Sequence, residues 1–360
     1  MKLKKRILIA PLNWGLGHAT RCIPVINALL AEGFVPIIAS DGRALLLLKE
    51  EFPELQFVEL PSYHIRYAKK GSHLKFKLLQ NSPKTLKAIS KERTLIKTLI
   101  KEDAIDGIIS DNRFGVYSKK IPSVFITHQL KVMSGITTWM STKMHDKLIS
   151  KYDECWVPDA PSSHNLSGDL GHIKKNIIPI KYIGPMTRFK TESRKILYDL
   201  MVLLSGPEPQ RTILEDHLLN ELKRYKGSVL FVRGCVELQQ DIKKEGDLIM
   251  YNYMTSSQLQ DAINESELII SRSGYTTIMD LAKLGKRAFF IPTPGQYEQE
   301  YLAKRFLDNG ILPSCKQEEF TIEMLNSVNL YNGFKDFNFN VDFENLFNLF
   351  EGERKFTTNI

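Results

Sequence analysis

Short apolar runs alternate with helical patterns along most of the chain, and this alternation constrains the fold more than any other feature. The runs at 6–10, 35–40, 56–60, 106–110 and 123–127 are almost continuously apolar. Strands of this kind are typical of a parallel sheet that helices cover on both faces. The first half of the chain therefore predicts a doubly wound α/β domain.

The same pattern restarts with "DLMVLLSG" (199–206) and continues through "SVLFVRG", "DLIMYNY", "ELIISRSG" and "RAFFIPTPG". We therefore expect an α/β protein of two tandem Rossmann-like domains. Residues 1–182 would form the first domain and 183–335 the second, with a C-terminal helix or tail at 336–360. In such sheets ligands bind outside the carboxyl ends of the strands, so we expect a cleft between the domains to hold the site.

Composition narrows the class of protein. Of the 360 residues, 43% are hydrophobic and 25% are charged, which is typical of a soluble globular chain. The four cysteines form no CxxC pair, which argues against a zinc ribbon or a disulfide framework and fits a reducing cytosol. No apolar run approaches the ~20 residues of a membrane span. We expect a cytoplasmic protein.

The turn "LNWGLGHATRCIPV" (12–25) follows the first predicted strand. Gly15 and Gly17 fit the start of a dinucleotide G-x-G-x-x-G fingerprint, but Thr20 stands at its third glycine. Asp41, after the second strand, would imitate the ribose-binding acid of an NAD site. A dehydrogenase is therefore one alternative, although it leaves a second polar block, at 267–306, unexplained.

That block is "ELIISRSGYTTIMDLAKLGKRAFFIPTPGQYEQEYLAKRF". A buried strand is predicted to end at Ser271, and Ser273 and Gly274 open a helix. Free N–H groups and the helix dipole favour an anion such as a diphosphate there. Gly274 would let the ligand approach the backbone, and Arg272 could bond phosphate.

Further along the block, Thr276 and Asp280 share a helix face, where a carboxylate can accept bonds from both ribose hydroxyls. Gln299 and Glu300 suit sugar hydroxyls. The alternative is structural: Ser273 would be a helix N-cap and Asp280 a solvated residue.

The block resembles the C-terminal signature of family 28 glycosyltransferases, especially the MurG-like members, which have a GT-B fold. The resemblance rests on Ser271-Arg272-Ser273-Gly274, on Asp280 where the family has Glu, and on Gln299 with Glu300, where a second Gln is common. It implies that these residues and Thr276 bind a nucleotide sugar that is UDP-linked, as in the family. "YIGPMTR" resembles the segment that leads into the second domain and adds Arg188 to the donor-binding candidates.

The family's second domain usually begins with a glycine-rich loop that touches phosphate, and "LSGPEPQR" (204–211) stands at that place. Ser205, Gly206 and Arg211 are the candidates for donor contact there. Because an acid beside a diphosphate is unfavourable, we expect Glu208 to point away from the donor.

The N-terminal half is similar to the same family in "NWGLGH" and "KIPSVFITHQ" (120–129). This resemblance implies an acceptor-binding domain with Gly15, Gly17 and His128 at the acceptor. A structural alternative for His128 is a satisfied, partly buried ring.

The candidate catalytic residues are His18 and Asp111, each expected at the carboxyl end of a strand. An inverting transfer needs a base to take the proton of the attacking hydroxyl. His18 is the first candidate; Asp111 is either the base or the residue that orients His18 or the acceptor. Their alternatives are a histidine that shapes the turn and a helix N-cap. Arg21 either assists the diphosphate or pairs with a carboxylate of its own domain.

No DxD triplet or metal-ligand histidine spacing occurs, so we expect metal-independent chemistry with no metal site. Residues 64–101 carry eleven Lys or Arg and one acid, Glu92, a formal charge of +10. Within them 82–101 is predicted to be an amphipathic helix, with Leu86, Ile89, Ile96 and Ile100 on one side and Lys84, Lys87, Lys91, Lys97 and Lys101 on the other. The segment 64–101 is either a solvated part of its domain, with this helix packed on it, or a patch for anionic lipid at the inner face of the cytoplasmic membrane. No nucleic-acid motif accompanies it.

Together these features predict a glycosyltransferase that moves a hexose or N-acetylhexosamine from a nucleotide sugar to an acceptor hydroxyl with inversion. The acceptor could be lipid-linked or belong to the cell envelope. Two alternatives remain open: a nucleotide-sugar hydrolase on the same fold, and a non-catalytic subunit that binds nucleotide sugar or membrane.

Overall fold

The computed structural model describes residues 4–63, 83–133, 135–173, 177–235, 237, 239–334, 337, 343 and 345–352. These residues form two compact units. The first runs to Arg188 and also includes the described residues from 343 to 352; the second begins at Phe189 and includes residue 337. Each unit is an α/β unit with a parallel or mostly parallel sheet and helices, so the predicted fold class is confirmed.

The first unit contains seven parallel strands in the order β3-β2-β1-β4-β5-β6-β7. Their bounds are β1 Arg6–Pro11, β2 Val35–Ser40, β3 Gln56–Glu59, β4 Gly107–Asp111, β5 Ser123–Ile126, β6 Glu154–Val157 and β7 Ile180–Tyr182. Every residue of β4 and β5 is buried. The short strands β6 and β7 were not predicted, because four and three residues give too little apolar pattern to distinguish a strand.

Four helices belong to the first unit: α1 Gly17–Ala31, α2 Gly42–Glu51, α3 Pro83–Lys101 and α4 Thr138–Ile149. Helix α3 confirms the helix expected at 82–101, and Ile96 is buried as its apolar pattern predicts. Two residues depart from that pattern. Leu86 is 52% exposed, whereas Glu92 is fully buried. The reason is that Glu92 has buried polar partners, described below, which hydrophobic periodicity does not reveal. Residues 64–82, the first half of the basic segment, lie outside the described residues.

The second unit contains six strands in the order β10-β11-β9-β8-β12-β13, in which only the β10–β11 pair is antiparallel. The strands are β8 Tyr198–Leu203, β9 Val229–Val232, β10 Ile242–Glu245, β11 Leu248–Tyr251, β12 Ser266–Ser271 and β13 Arg287–Phe290. Its helices are α5 Gln210–Leu222, α6 Ser256–Asn264, α7 Tyr275–Lys283 and α8 Tyr297–Asp308. The exposed edge strand β10, with the sequence IKKE, was not predicted.

Each sheet has one point where the chain changes its winding direction. In the first unit β1 lies between β2 and β4, and in the second β8 lies between β9 and β12. The loops that leave two such neighbouring strands diverge to opposite faces and open a crevice at the carboxyl edge. The loops after β1 and β4, and those after β8 and β12, therefore define where each unit presents a ligand site.

The C-terminal segment packs on the first unit. Helix α9 (Asn348–Glu351) places Phe350 in that core, with its ring centroid 6.2 Å from that of Trp156. A β-carbon on Gly107 would come within 2.5 Å of the Phe350 ring, so the close approach requires glycine. No helix among the described residues combines the length and apolar character needed to cross a membrane.

Candidate active site

The turn after β1 carries His18 in the first helical turn of α1. Gly15 adopts a φ of +69°, in the left-handed region that glycine enters without strain. Nothing lies within 4 Å of where its β-carbon would be, and Gly17 begins the helix. The His18 side chain is 12% exposed, so the ring lies mostly within the fold and is partly accessible to solvent.

His18 pairs with Asp111, the last residue of β4. The sheet register sets Asp111 opposite Pro11, and the Asp111 side chain is fully buried. The His18 Nδ1 atom lies 2.8 Å from Asp111 Oδ1. The two candidates that the sequence analysis put at separate strand ends therefore form a hydrogen-bonded pair at the winding change of the first sheet.

Arg21, one turn after His18, completes this cluster. Its Nε donates to Asp111 Oδ2 at 2.5 Å and its Nη2 to Oδ1, which makes the pair bidentate. Nη1 lies 3.1 Å from Nδ1 of His128. Of the two roles considered for Arg21, the structure shows the pairing with a carboxylate of its own unit.

The cluster sets the ionisation of its members. Burial alone would raise the pKa of Asp111, but the charges of Arg21 and His18 outweigh it and hold that pKa well below its usual range. Asp111 is thus a carboxylate, and His18 Nδ1 faces two of its neighbours: Asp111 Oδ1 at 2.8 Å, which accepts a hydrogen bond, and Arg21 Nη2 at 2.9 Å, which donates one. When the Nδ1 hydrogen bonds Asp111, Nε2 of the neutral ring carries the lone pair that can accept a proton.

Burial also lowers the pKa of His18 below its usual 6.5. The charge of Asp111 raises it, but Arg21 and His128 act with burial to lower it. His18 is therefore neutral at neutral pH, as a general base must be.

A second buried cluster lies beneath the same turn and accounts for Asp41. The Arg113 guanidinium bonds Asp41 Oδ1 and, at 2.8 Å, Glu92 Oε1; all three side chains are at most 7% exposed. Tyr63 donates its hydroxyl to Glu92 at 2.7 Å. Because Asp41 pairs with Arg113, it is not placed to bind a ribose. The dehydrogenase alternative therefore lacks the ribose-binding acid that it requires. Sequence reasoning missed Arg113, for which no local pattern gives a signal.

In the second unit, the residues of the Ser-Arg-Ser-Gly turn follow β12. Ser271, Arg272 and Ser273 are each no more than 1% exposed. The Ser273 hydroxyl donates to the carbonyl of Gln299 at 2.8 Å, so it ties the turn to the start of α8. It is not the N-cap of α7, because Gly274 occupies that position.

Arg272 points into the fold. Its Nη1 donates to the carbonyls of Ile291 and Pro292, and Nη2 to the Gln210 carbonyl and Gln317 Oε1, at 2.6–3.1 Å. These acceptors are neutral, and burial lowers the pKa of Arg272 to about 10. Its contacts are those of a residue that holds the loops after β8 and β13 together.

The N-terminus of α7 is open. Nothing lies within 4 Å of a β-carbon built on Gly274, so a ligand has room to approach the backbone there. Thr276 and Asp280 lie on this helix, and both are partly exposed. The spacing of four residues places them on one face, as predicted.

The two residues predicted to bind the donor sugar both form hydrogen bonds with the loop after β13. Gln299 is buried, and its Oε1 accepts from the backbone N–H of Thr293 at 2.8 Å. Glu300 is exposed, and its Oε1 accepts from the N–H of Gly295 at 2.7 Å. Both side chains therefore brace this loop.

The loop after β8 approaches the loop after β13. Ser205 and Gly206 are exposed, and Gly206 has a φ of +110°. A β-carbon on Gly206 would lie 3.7 Å from Thr293 Oγ1. That buried hydroxyl has no hydrogen-bond partner among the described residues.

The remaining donor candidates have other positions. Glu208 accepts from Arg211 Nε at 2.7 Å, and Arg211 also pairs with buried Glu215, so these residues are engaged with one another. Arg188 is partly buried and is the last residue of the first unit before Phe189. Within the residues that the structure describes, no group of three or more His, Cys, Asp or Glu is placed to hold a metal ion.

Comparison with known proteins finds similarity along most of the chain. Residues 210–334 match the model of the glycosyltransferase family 28 C-terminal domain. The chain is 29% identical over 225 residues to UDP-N-acetylglucosamine–N-acetylmuramyl-(pentapeptide) pyrophosphoryl-undecaprenol N-acetylglucosamine transferase of Buchnera aphidicola, covering 59% of each protein. It is 22% identical to the protein of that name from Haemophilus ducreyi, over 91% of this chain and 89% of the relative.

Solved structures share the fold along nearly the whole chain. The MurG structure from Acinetobacter baumannii aligns over 92% of this chain and 91% of its own, with a TM-score of 0.53 and 15% identity. The kitacinnamycin glycotransferase aligns over 91% and 90%, with a TM-score of 0.63 and 13% identity. At these identities the likeness concerns the fold.

Proposed function

We propose that this chain is a family 28 glycosyltransferase that transfers N-acetylglucosamine or a related hexose from a UDP-linked donor to a hydroxyl of a lipid-linked acceptor. The observation that carries the proposal is the His18–Asp111 pair at the winding change of a unit that precedes a family 28 donor domain. The names of the relatives, which are N-acetylglucosamine transferases acting on an undecaprenol-linked substrate, support the sugar and the acceptor class.

On the donor side, we assign the diphosphate to the N-terminus of α7 at Gly274. The free N–H groups and the dipole of that helix stabilise negative charge, which grows on the diphosphate as the sugar leaves. Ser205 and Gly206 lie on the other loop at the winding change and would contact the same group. Arg272 stabilises these loops from inside the fold, because its N–H groups already donate to backbone carbonyls.

The nucleoside and the sugar are assigned to neighbouring residues. Thr276 and Asp280, on the partly exposed face of α7, would bind the ribose. Gln299 and Glu300 brace the loop after β13, and we propose that they reach the donor sugar from there. Arg188 is kept as a donor contact at the end of the first unit.

On the acceptor side, His18 acts as base and Asp111 orients it. The acceptor hydroxyl loses its proton to His18 Nε2 as its oxygen bonds the anomeric carbon. The bond from that carbon to the diphosphate oxygen breaks at the same time, and its electron pair leaves with UDP, which inverts the configuration. Asp111 stabilises the imidazolium that forms. Gly15 and Gly17 leave space for the acceptor, and His128 binds it.

We propose that the transfer needs no divalent metal, because α7 and the loop after β8 offer N–H groups to the leaving diphosphate. We also propose that the chain works at the inner face of the cytoplasmic membrane. The described half of the basic segment supports this, since α3 exposes Lys84, Lys87, Lys91, Lys97 and Lys101. Each basic residue near an anionic surface contributes ~1 kcal/mol.

The test is UDP release from UDP-N-acetylglucosamine with and without a polyprenyl-diphosphate acceptor, in the presence and absence of EDTA. We expect release that depends on acceptor and resists EDTA. Release at the same rate without acceptor would establish the hydrolase alternative. Binding of UDP in a thermal-shift assay without turnover on any acceptor would establish the non-catalytic one. UDP-glucose and GDP-, dTDP- and CMP-sugars rank the donors in the same thermal-shift assay.

A further inference from the structure

One residue beside the proposed base has a left-handed backbone although it is not a glycine. Asn112 directly follows Asp111, the last residue of β4, and has a φ of +58°. Asparagine enters this region more often than most side chains do, but it is strained there and glycine is not. Strain of this kind is concentrated at functional sites, where the side chain itself has a task. The side chain of Asn112 therefore needs an explanation.

The Asn112 side chain touches the carboxylate that pairs with His18. Its amide lies 3.3 Å from Asp111 Oδ1. A carboxylate can only accept a hydrogen bond, so the Nδ2 end of the amide must face Asp111. The Oδ1 end of Asn112 has no hydrogen-bond partner in the part of the chain that the structure describes. This oxygen is an acceptor that a bound molecule can use.

Exposure divides the side chains around Asp111 into two pairs. Arg21 and Cys22 donate to the carboxylate from inside the fold and are at most 2% exposed. His18 and Asn112 both contact its Oδ1 atom and are partly exposed. Because they share one oxygen atom, His18 and Asn112 lie close to each other. A molecule that reaches His18 at the carboxyl edge of the sheet therefore comes close to Asn112.

We propose that Asn112 is a further acceptor-binding residue, whose side-chain oxygen accepts a hydrogen bond from a sugar hydroxyl of the acceptor and so holds the acceptor against His18. The left-handed backbone serves the same arrangement, because it lets Asp111 face His18 while Arg113, the next residue, enters the buried cluster with Asp41. The inference rests on the proposed function for the nature of the acceptor, but the contact can be measured as binding, without turnover.

The experiment replaces Asn112 with glycine. N112G removes the amide and leaves a residue that adopts a positive φ without strain, so the fold is kept. The matched control is D103G, because Asp103 also has a positive φ, of +50°, and its exposed side chain lies in the turn after α3. Both variants should melt within about 3 °C of the wild type.

Binding is the first readout. The probe is a short-chain polyprenyl diphosphate linked to N-acetylmuramic acid, the sugar in the names of the relatives, and it is titrated by calorimetry without any donor. We expect the Kd for this probe to rise about 10-fold in N112G and to stay unchanged in D103G. The Kd for UDP should be the same in both variants as in the wild type.

Steady-state kinetics supply the second readout. In N112G the KM for the acceptor should rise about 10-fold, with the KM for the nucleotide sugar unchanged and kcat within about 3-fold of the wild type. A residue that only steadied Asp111 would behave differently. Its loss would lower kcat and displace the acid limb of kcat/KM, with acceptor binding unchanged, and that result would overturn the inference.

The outcomes separate this inference from the proposed function. Equal acceptor affinity in N112G and the wild type, or no binding of the probe to the wild type, would overturn the inference even in an active enzyme. Weaker binding of the probe in N112G, without turnover of any donor, would refute the proposed function and support the contact.

Discussion

The imidazole of His18 and the carboxylate of Asp111 meet at 2.8 Å, although 93 residues separate them along the chain. They meet because β1 and β4 are neighbours in the sheet and the loops that follow them diverge at its carboxyl edge. One partner is partly exposed and the other is fully buried, so a reacting group can touch His18 but not Asp111.

This pairing predicts different effects at its two members. H18Q removes the base and should lower kcat by about 10²–10⁴-fold, with little change in the KM for the nucleotide sugar. D111N keeps the shape but replaces the charged acceptor of the His18 hydrogen bond with a neutral amide, so a smaller loss is expected. Steady-state kinetics measure both. Full turnover in both variants would refute the base assignment.

The buried Arg113 cluster predicts a large effect on stability. R113M leaves Asp41 and Glu92 buried without their shared cation, which should lower the free energy of unfolding by about 3–5 kcal/mol. K97M, on the exposed face of α3, is the matched control and should change it by less than about 0.5 kcal/mol. Urea denaturation measures both, and equal midpoints for R113M and K97M would contradict the prediction.

His145 predicts a loss of stability in acid. Burial, helped by the charge of His128, lowers its pKa from 6.5 to about 4. Between these values the unfolded chain binds a proton that the folded chain does not, so stability is complete above pH 6.5 and falls as the pH decreases towards 4. The loss below that window amounts to about 3 kcal/mol.

The measurement is urea denaturation across that pH range for the wild type and for H145Q. The variant lacks the titrating ring, so its stability should depend less steeply on pH. Parallel pH curves would assign the acid sensitivity to other groups.

Thr293 predicts a stabilising substitution. Its buried hydroxyl has no partner in the described part of the chain, and an unsatisfied buried hydroxyl costs about 1–3 kcal/mol. T293V keeps the shape and removes the hydroxyl, so we expect the melting temperature of the ligand-free protein to rise. T293S keeps the hydroxyl and loses the methyl group, so it should lower the melting temperature. A lower value for T293V as well would show that the hydroxyl has a partner in solution.

The fold class was predictable because the signal is local and repeated. Runs such as 35–40 and 123–127 are apolar in all but their terminal residues, as burial on both faces of a parallel sheet favours. Strands without that signal were missed: β7 is three residues long, and β10 is fully exposed. The apolar pattern of α3 also placed Leu86 on the buried side of the helix, whereas Leu86 is exposed. Glu92 is buried instead, because it bonds to Arg113 and Tyr63.

The sequence by itself determined the two α/β sheets, the polar residues at the strand ends and the family that this chain resembles. These features could be predicted because both strand burial and loop chemistry depend on residues that are close together in the sequence. Only the tertiary structure decided what those residues touch. In that structure Arg21 pairs with Asp111, Arg272 donates to backbone carbonyls inside the fold, and Asp41 pairs with Arg113. These partners lie 90, between 19 and 62, and 72 positions apart, respectively. A charged side chain pairs with the groups that the sheet order brings near it, and no local pattern specifies those groups.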